Sequence, residues 1–188
     1  MKKLKTLLAA TFKEFNPRRY LKMDEIELEN KQNGVAYRFA QRIDIVDMLA
    51  IERDVYDGEV PWTFSHFEHE IVQNENAFFI VAEIDQKVVG FIGARVTDKG
   101  KKIHLSNLAV LKKNQNHGIA TTLIKQIVRL SKHLGKMQMT LEVRRDNTKA
   151  QGLYRRNGFQ TEHLMPSYYE DGGDAIWMIK KLRNDVDD

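Results

Sequence analysis

Hydrophobic and polar positions follow two rhythms along this chain, and the change of rhythm marks its elements. Strand-like runs occur at Val35–Arg38, Phe78–Ala82, Val88–Val96 and Ile103–Val110. Asp85-Gln86-Lys87 and Asp98-Lys99-Gly100-Lys101 are tight connections between the last three, which therefore form an antiparallel meander. Met137–Val143 alternates strictly. Met137, Met139, Leu141 and Val143 take one face, and Gln138, Thr140 and Glu142 take the other. Phe159 opens a further short strand, and Ala175–Ile179 is the last.

Helical spacing fills the gaps. Ile43–Tyr56 carries Ile43, Val46, Leu49, Ala50 and Ile51 near one face. After a loop ending at Pro61-Trp62-Thr63, Thr63 or Ser65 caps a second helix through Phe67, Ile71 and Val72, closed by Asn74–Asn76. A third helix has Ile119, Leu123, Ile124, Ile127, Val128, Leu130 and Leu134 on a broad apolar face, and Gly135 stops it. Asn147 caps a fourth through Ala150, Leu153 and Tyr154, ending at Asn157-Gly158. The expected fold is α/β of the α+β kind: a mixed, mostly antiparallel central sheet of six to seven strands flanked by about four helices.

The 188 residues suffice for one domain with a sizeable core, placed at residues 34–183. Residues 1–33 read as an extension. Lys2 through Arg19 is a basic amphipathic segment, helical up to Pro17, with Leu4, Leu7, Leu8, Phe12 and Phe15 on one side. Asp24, Glu25, Glu27 and Glu29 form an acidic patch, and Asn33-Gly34 a turn. Residues 184–188 are a polar tail. The apolar stretch at the start is too short for a signal peptide, and no run approaches the roughly 20 residues of a membrane span. The absence of cysteine excludes disulfides and thiol chemistry and fits a cytoplasmic protein.

Chemistry concentrates where the strand Leu108-Ala109-Val110 meets Gln115-Asn116-His117-Gly118-Ile119-Ala120. A polar turn there opens the third helix with small residues, so another molecule can approach the backbone closely. The first amides of a helix have no partner within it and lie at the positive end of its dipole, which suits phosphate. The formal net charge is only +4, yet Leu111–Lys136 holds six basic residues (Lys112, Lys113, Lys125, Arg129, Lys132, Lys136) and no acidic one. That distribution favours a polyanion.

The element order, the Gln115-x-x-Gly118-x-Ala120 turn and the run Asn147…Ala150…Tyr154…Gly158-Phe159 resemble the GCN5-related N-acetyltransferases over roughly Val35 to Lys181. Pro61-Trp62, Asn107-Leu108-Ala109-Val110, Leu141-Glu142-Val143-Arg144, and Tyr168-Tyr169 followed by Asp174-Ala175 are similar to the RimI-type branch, the ribosomal-protein alanine N-acetyltransferases. The resemblance implies acetyl-CoA as cofactor. Its pyrophosphate would lie on the backbone of Gln115, Asn116, His117, Gly118, Ile119, Ala120 and Thr121. Its pantetheine arm would pair with Leu108, Ala109 and Val110 as an added strand, with Asn147 and Tyr154 at the far end. Two departures stand out. Asp-Pro is replaced by Leu111-Lys112, and the usual arginine of the turn by Asn116 or His117; Lys112 or Lys113 is expected to compensate.

Acetyl transfer to an amine requires a base, stabilisation of the carbonyl oxygen and a proton for the leaving thiolate. The resemblance assigns the base to Glu142, on the polar face of its strand. Tyr154 is the candidate acid, since a phenol of pKa ~10 suits a departing thiolate. A backbone N–H near Val110 is the candidate oxyanion donor. Trp62, Tyr168 and Tyr169 would rim a groove for a peptide N-terminus, with Glu59, Glu170 and Asp171 attracting a basic tail. No metal site is expected: His66-x-x-His69 lacks the H-E-x-x-H pattern and a third ligand. The expected acceptor is the N-terminal alanine of a ribosomal protein. A small amine is the alternative, and a non-catalytic ribosome- or RNA-binding module is the alternative of another class.

Overall fold

The computed structural model describes residues 31–32, 34–58 and 61–182. The amphipathic segment, the acidic patch and the polar tail lie outside the described residues. The strands are β1 (Lys31–Gln32), β2 (Val35–Phe39), β3 (Ala77–Ile84), β4 (Lys87–Thr97), β5 (Lys102–Val110), β6 (Gln138–Arg144), β7 (Gln160–Met165) and β8 (Ala175–Lys181). The helices are α1 (Ile45–Val55), α2 (Phe64–Glu68), α3 (Ile119–His133) and α4 (Thr148–Arg156). One sheet runs in the order β1-β2-β3-β4-β5-β6-β8-β7. Every neighbouring pair is antiparallel except β5 and β6. Among the described residues, the mixed sheet with four helices is the expected architecture, enlarged at its edge. The two-residue β1 pairs with β2, so the sheet starts before residue 34 and has eight strands.

Two apolar clusters sandwich the sheet. Phe78, Ile80 and Ala82 of β3 face α3, whose Leu123, Ile124, Ile127 and Leu130 complete the larger cluster. The alternate β3 residues Ala77, Phe79 and Val81 face α1 and α2, through Ile45, Met48, Ile51 and Phe67. Burial on both faces explains why β3 and β4 read as near-continuous apolar runs.

Three expectations about facing are corrected. The α1 stripe is not Ile43, Val46, Leu49, Ala50 and Ile51: a 3₁₀ turn holds Arg42–Asp44, and Ile43 and Val46 are exposed. The buried residues of α1 are Ile45, Met48, Ile51 and Glu52. Asp44 sets this rotation. Its carboxylate accepts Arg38 Nη1 and Nη2 at 2.7 and 2.8 Å and the Gln41 N–H at 2.7 Å, and this fixes the helix entry. Val72 is exposed because a π turn over His69–Gln73 continues α2 and shifts its register. Met137 is exposed because β6 begins one residue later.

A parting in the sheet positions the site. β5 pairs with β6 only at Lys102↔Gln138, Ile103↔Met139 and His104↔Thr140. Past that point β5 stays on β4 as far as Val110, while β6 stays on β8 as far as Arg144. Beyond His104, the edge of β5 turned toward β6 has no strand partner, and a cleft opens between the two halves.

Candidate active site

At the mouth of the cleft, β5 passes through a 3₁₀ turn (Lys112–Asn114) and a loop into α3. Asn116 and Gly118 are left-handed, with φ of 63° and 81°. A side chain at Gly118 would meet nothing within 4 Å, so the helix entry faces open space. The Gln115 side chain braces this turn. Its Nε2 donates to the Val110 carbonyl at 2.9 Å, and its Oε1 accepts from Lys149 Nζ at 2.6 Å. A cavity of about 640 Å³ runs from here along β5 to α4. Leu108, Ala109, Val110, Gln115, Asn116, Gly118, Ile119, Ala120, Thr121, Asn147 and Tyr154 line it; His117 does not. Asn147 caps α4, its Oδ1 accepting the Ala150 N–H at 3.0 Å. The fit to an elongated phosphorylated cofactor rests on this chain's own geometry: an unpaired strand edge, an open helix N-terminus and cationic Lys149 and Arg156 in one cavity.

Tyr154 is half-buried at the α4 side of the cavity, edge-on to Phe159 at 5.8 Å. Burial first, then the neighbouring Tyr56 and Tyr169, push its phenol well above its ordinary range, so it holds its proton.

Glu142 projects from β6 where the strands part. Its Oε2 lies 2.9 Å from His104 Nε2, and its Oε1 accepts the Tyr168 hydroxyl at 3.2 Å. His104 is itself buried, with Nδ1 3.0 Å from Thr140 Oγ1 and its ring stacked on Trp177. Burial raises the Glu142 carboxyl, but the His104 and Tyr168 hydrogen bonds outweigh it and hold the group below the usual carboxylate range.

The loop after β7 brings Tyr168 there. Arg144 binds Asp171 at 2.9 Å and lies over the Tyr169 ring at 4.9 Å, while Arg145 binds Asp174 at 2.9 Å. Asp171 is thus engaged within the protein rather than free for a basic substrate tail, and Glu59 lies outside the described residues. Trp62 makes ring contact with neither tyrosine. Its ring packs on Phe67 and Phe79, at 5.2 and 6.2 Å, in the smaller core cluster.

His104 and Glu52 are among the groups not legible in the sequence. His104 looked like one of several scattered histidines. The signal was its place between Ile103 and Leu105 in an apolar strand; the parallel pairing that sets it beside Thr140 is not local. Glu52, 2 % exposed, accepts the Trp62 N–H at 3.1 Å and is also bonded by Asn107. Burial pushes it up to about 7 against those two donors. Asn107 Oδ1 is buried without a partner among the described residues.

Residues 45–159 match the Acetyltransferase (GNAT) family model. A protein of Bacillus subtilis (strain 168), provisionally named a ribosomal protein bS18-alanine N-acetyltransferase, is 32% identical over 72% of this chain and 87% of its own. The N-alpha-acetyltransferase of Sulfurisphaera tokodaii is 31% identical over 84% of this chain and all of its own. The crystal structure of the ribosomal-protein-S18-alanine N-acetyltransferase from Escherichia coli superposes with a TM-score of 0.69 at 24% identity, covering 82% of this chain and 99% of that one.

Proposed function

The chain belongs to the GNAT acetyltransferase family and is an N-acetyltransferase; from that premise we propose that it uses acetyl-CoA to acetylate the N-terminal amine of a protein, with the N-terminal alanine of a ribosomal protein as its acceptor. The observation that carries the reading is the meeting of two sides at the parting of β5 and β6. An open helix N-terminus and an unpaired strand edge lie on one side, and a held carboxylate on the other.

In this reading Gln115, Gly118, Ala120 and Thr121 hold the cofactor phosphates, and Leu108, Ala109 and Val110 hold the arm along the β5 edge. Bound acetyl-CoA supplies an acetyl group activated as a thioester. An α-amino group has a pKa near ~8, so much of it arrives as ammonium at neutral pH. Glu142, kept ionised by His104 and Tyr168, accepts that proton directly or through one water. Tyr154, kept protonated by burial, gives its proton to the departing sulfur. The backbone N–H near Val110 faces the carbonyl oxygen as it gains charge.

The wider name of the Sulfurisphaera tokodaii relative favours a second reading, a broader set of protein N-termini. The two are separated by following CoA release from acetyl-CoA with peptides beginning Ala, Ser and Met and with a panel of small amines. Turnover confined to Ala-initiated ribosomal peptides supports the first reading, and comparable turnover across the peptides supports the second. Turnover only on small amines, or none accompanied by salt-sensitive RNA binding, overturns both.

A further inference from the structure

The turn that opens α3 carries Asn116 and His117 and no arginine; of the cations expected to compensate, Lys112 lines the cavity but is already paired, and Lys113 lies elsewhere. Lys112 Nζ pairs with Asp57, just past α1, and its backbone N–H donates to Asp54 of α1 at 2.6 Å, so its charge is already answered from that side. Lys113 lines a different surface recess, with Asp47, Ile84 and Asp85. Lys136, also in the basic run, is buried with Nζ on the Gly100 carbonyl at 2.7 Å.

Another cation faces the cavity from the opposite wall. Lys149 sits in the first turn of α4, exposed and lining the same cavity as Gly118 and Thr121. It donates to the neutral Gln115 Oε1, and no carboxylate among the described residues lies within ion-pair distance of it. Seven residues on, and so on the same helix face, Arg156 lines the cavity too. Its Nη1 lies 3.2 Å from where a β-carbon on Gly152 would stand, so the guanidinium rests against the helix surface that this glycine leaves bare. Two cations along α4 therefore confront the open amides of α3.

We propose that Lys149 binds the phosphate groups of the cofactor, filling from α4 the role that an arginine in the turn would otherwise fill, with Gln115 holding its ammonium in place until the anion arrives. The proposal rests on the reading that this cavity takes acetyl-CoA. A neutral amide holds Lys149 without cancelling its charge, so a phosphate can replace that contact with a charge-assisted one. Arg156 extends the positive stripe along the path of the ligand.

The test is calorimetric titration of the full chain with acetyl-CoA, dephospho-acetyl-CoA and acetyl-pantetheine, at two salt concentrations. Lys149→Met should weaken acetyl-CoA binding about tenfold, the size expected for one charge-assisted contact, and reduce its salt dependence. Acetyl-pantetheine affinity should not change. Lys149→Arg should restore binding, and Lys125→Met, outside the cavity, should leave it unaltered. If the defect disappears with dephospho-acetyl-CoA, Lys149 reads the 3′-phosphate; if it persists, Lys149 reads the pyrophosphate. Wild-type affinity in Lys149→Met overturns the proposal and leaves the cofactor reading standing. An equal loss for acetyl-pantetheine overturns it as well, since that would make Lys149 a brace for Gln115. A wild-type chain that binds none of the three ligands overturns the cofactor reading and the proposal together.

Discussion

Glu142 and Glu52 are two inward-facing glutamates in different regions of the molecule, and their environments drive them in opposite directions. Glu142, on β6, meets His104 and Tyr168, and these donors hold it ionised despite burial. Glu52, on α1, meets only a backbone N–H and an asparagine, so burial prevails and the group titrates near neutral pH. Burial alone thus does not set the protonation state of an inward-facing carboxyl. The donors decide it: His104 and Tyr168 outweigh burial at Glu142, and the Trp62 N–H and Asn107 do not at Glu52. The half of the sheet carrying β6 is built to keep a carboxylate charged, and the α1 layer tolerates a carboxylate that is often neutral.

The comparison breaks most readily at Glu142 itself. Glu142→Gln keeps the volume and removes the proposed base, so kcat/KM should fall by about 10²–10⁴-fold. Acetyl-CoA affinity from calorimetry should stay within twofold or so, an expectation that follows from the absence of Glu142 among the cavity-lining residues. An undiminished rate would show that Glu142 is only one more polar residue of β6.

At Glu52 the expected effect is on stability and its sign follows from linkage. A carboxyl raised from 4.5 to about 7 in the folded state gives stability that is complete below pH 4.5 and lost as pH rises through 7. Glu52→Gln removes that dependence. Relative to wild type, the variant should gain stability between pH 4.5 and 8, on the order of 3 kcal/mol, in urea unfolding at a series of pH values. A difference that stays flat across that range would mean that Glu52 is as ionised as Glu142.

Smaller effects sharpen the account of the donors. His104→Ala leaves burial of Glu142 opposed mainly by Tyr168, so its pKa should rise, and the low-pH limb of kcat/KM should move toward neutral. An unmoved limb would assign His104 to packing against Trp177. Tyr168→Phe removes one exposed-side donor at 3.2 Å and should cost only a few-fold in kcat/KM.

Much of this was readable from the chain, and the failures share a cause. The meander, the α3 face and the Asn147 cap are local patterns, each set by spacing within a few residues, and each stands as expected. The polar face of β6 was readable too, because strict alternation puts Glu142 with Thr140. His104 was not, because its value comes from a parallel neighbour 36 positions away. Lys149 escaped for the same reason: its charge matters through Gln115, 34 residues distant, while the conspicuous Lys112 is spent on Asp57. The α1 stripe was misjudged because Arg38, on a neighbouring strand, sets the rotation of the helix through Asp44.

The brief pairing of β5 with β6 has a further consequence. Three residue pairs join the two halves of the sheet, and past them one edge of β5 is left to solvent. If the cofactor arm occupies that edge, the ligand acts as the missing strand and the protein completes its own hydrogen-bond ladder only in the complex. Amide exchange should then alternate along one strand: slow in both states at the β5 amides that pair with β4, and fast in the free protein but slowed by cofactor at those between Leu105 and Val110 that point away from β4. Substrate binding and the last stage of sheet formation would be one event.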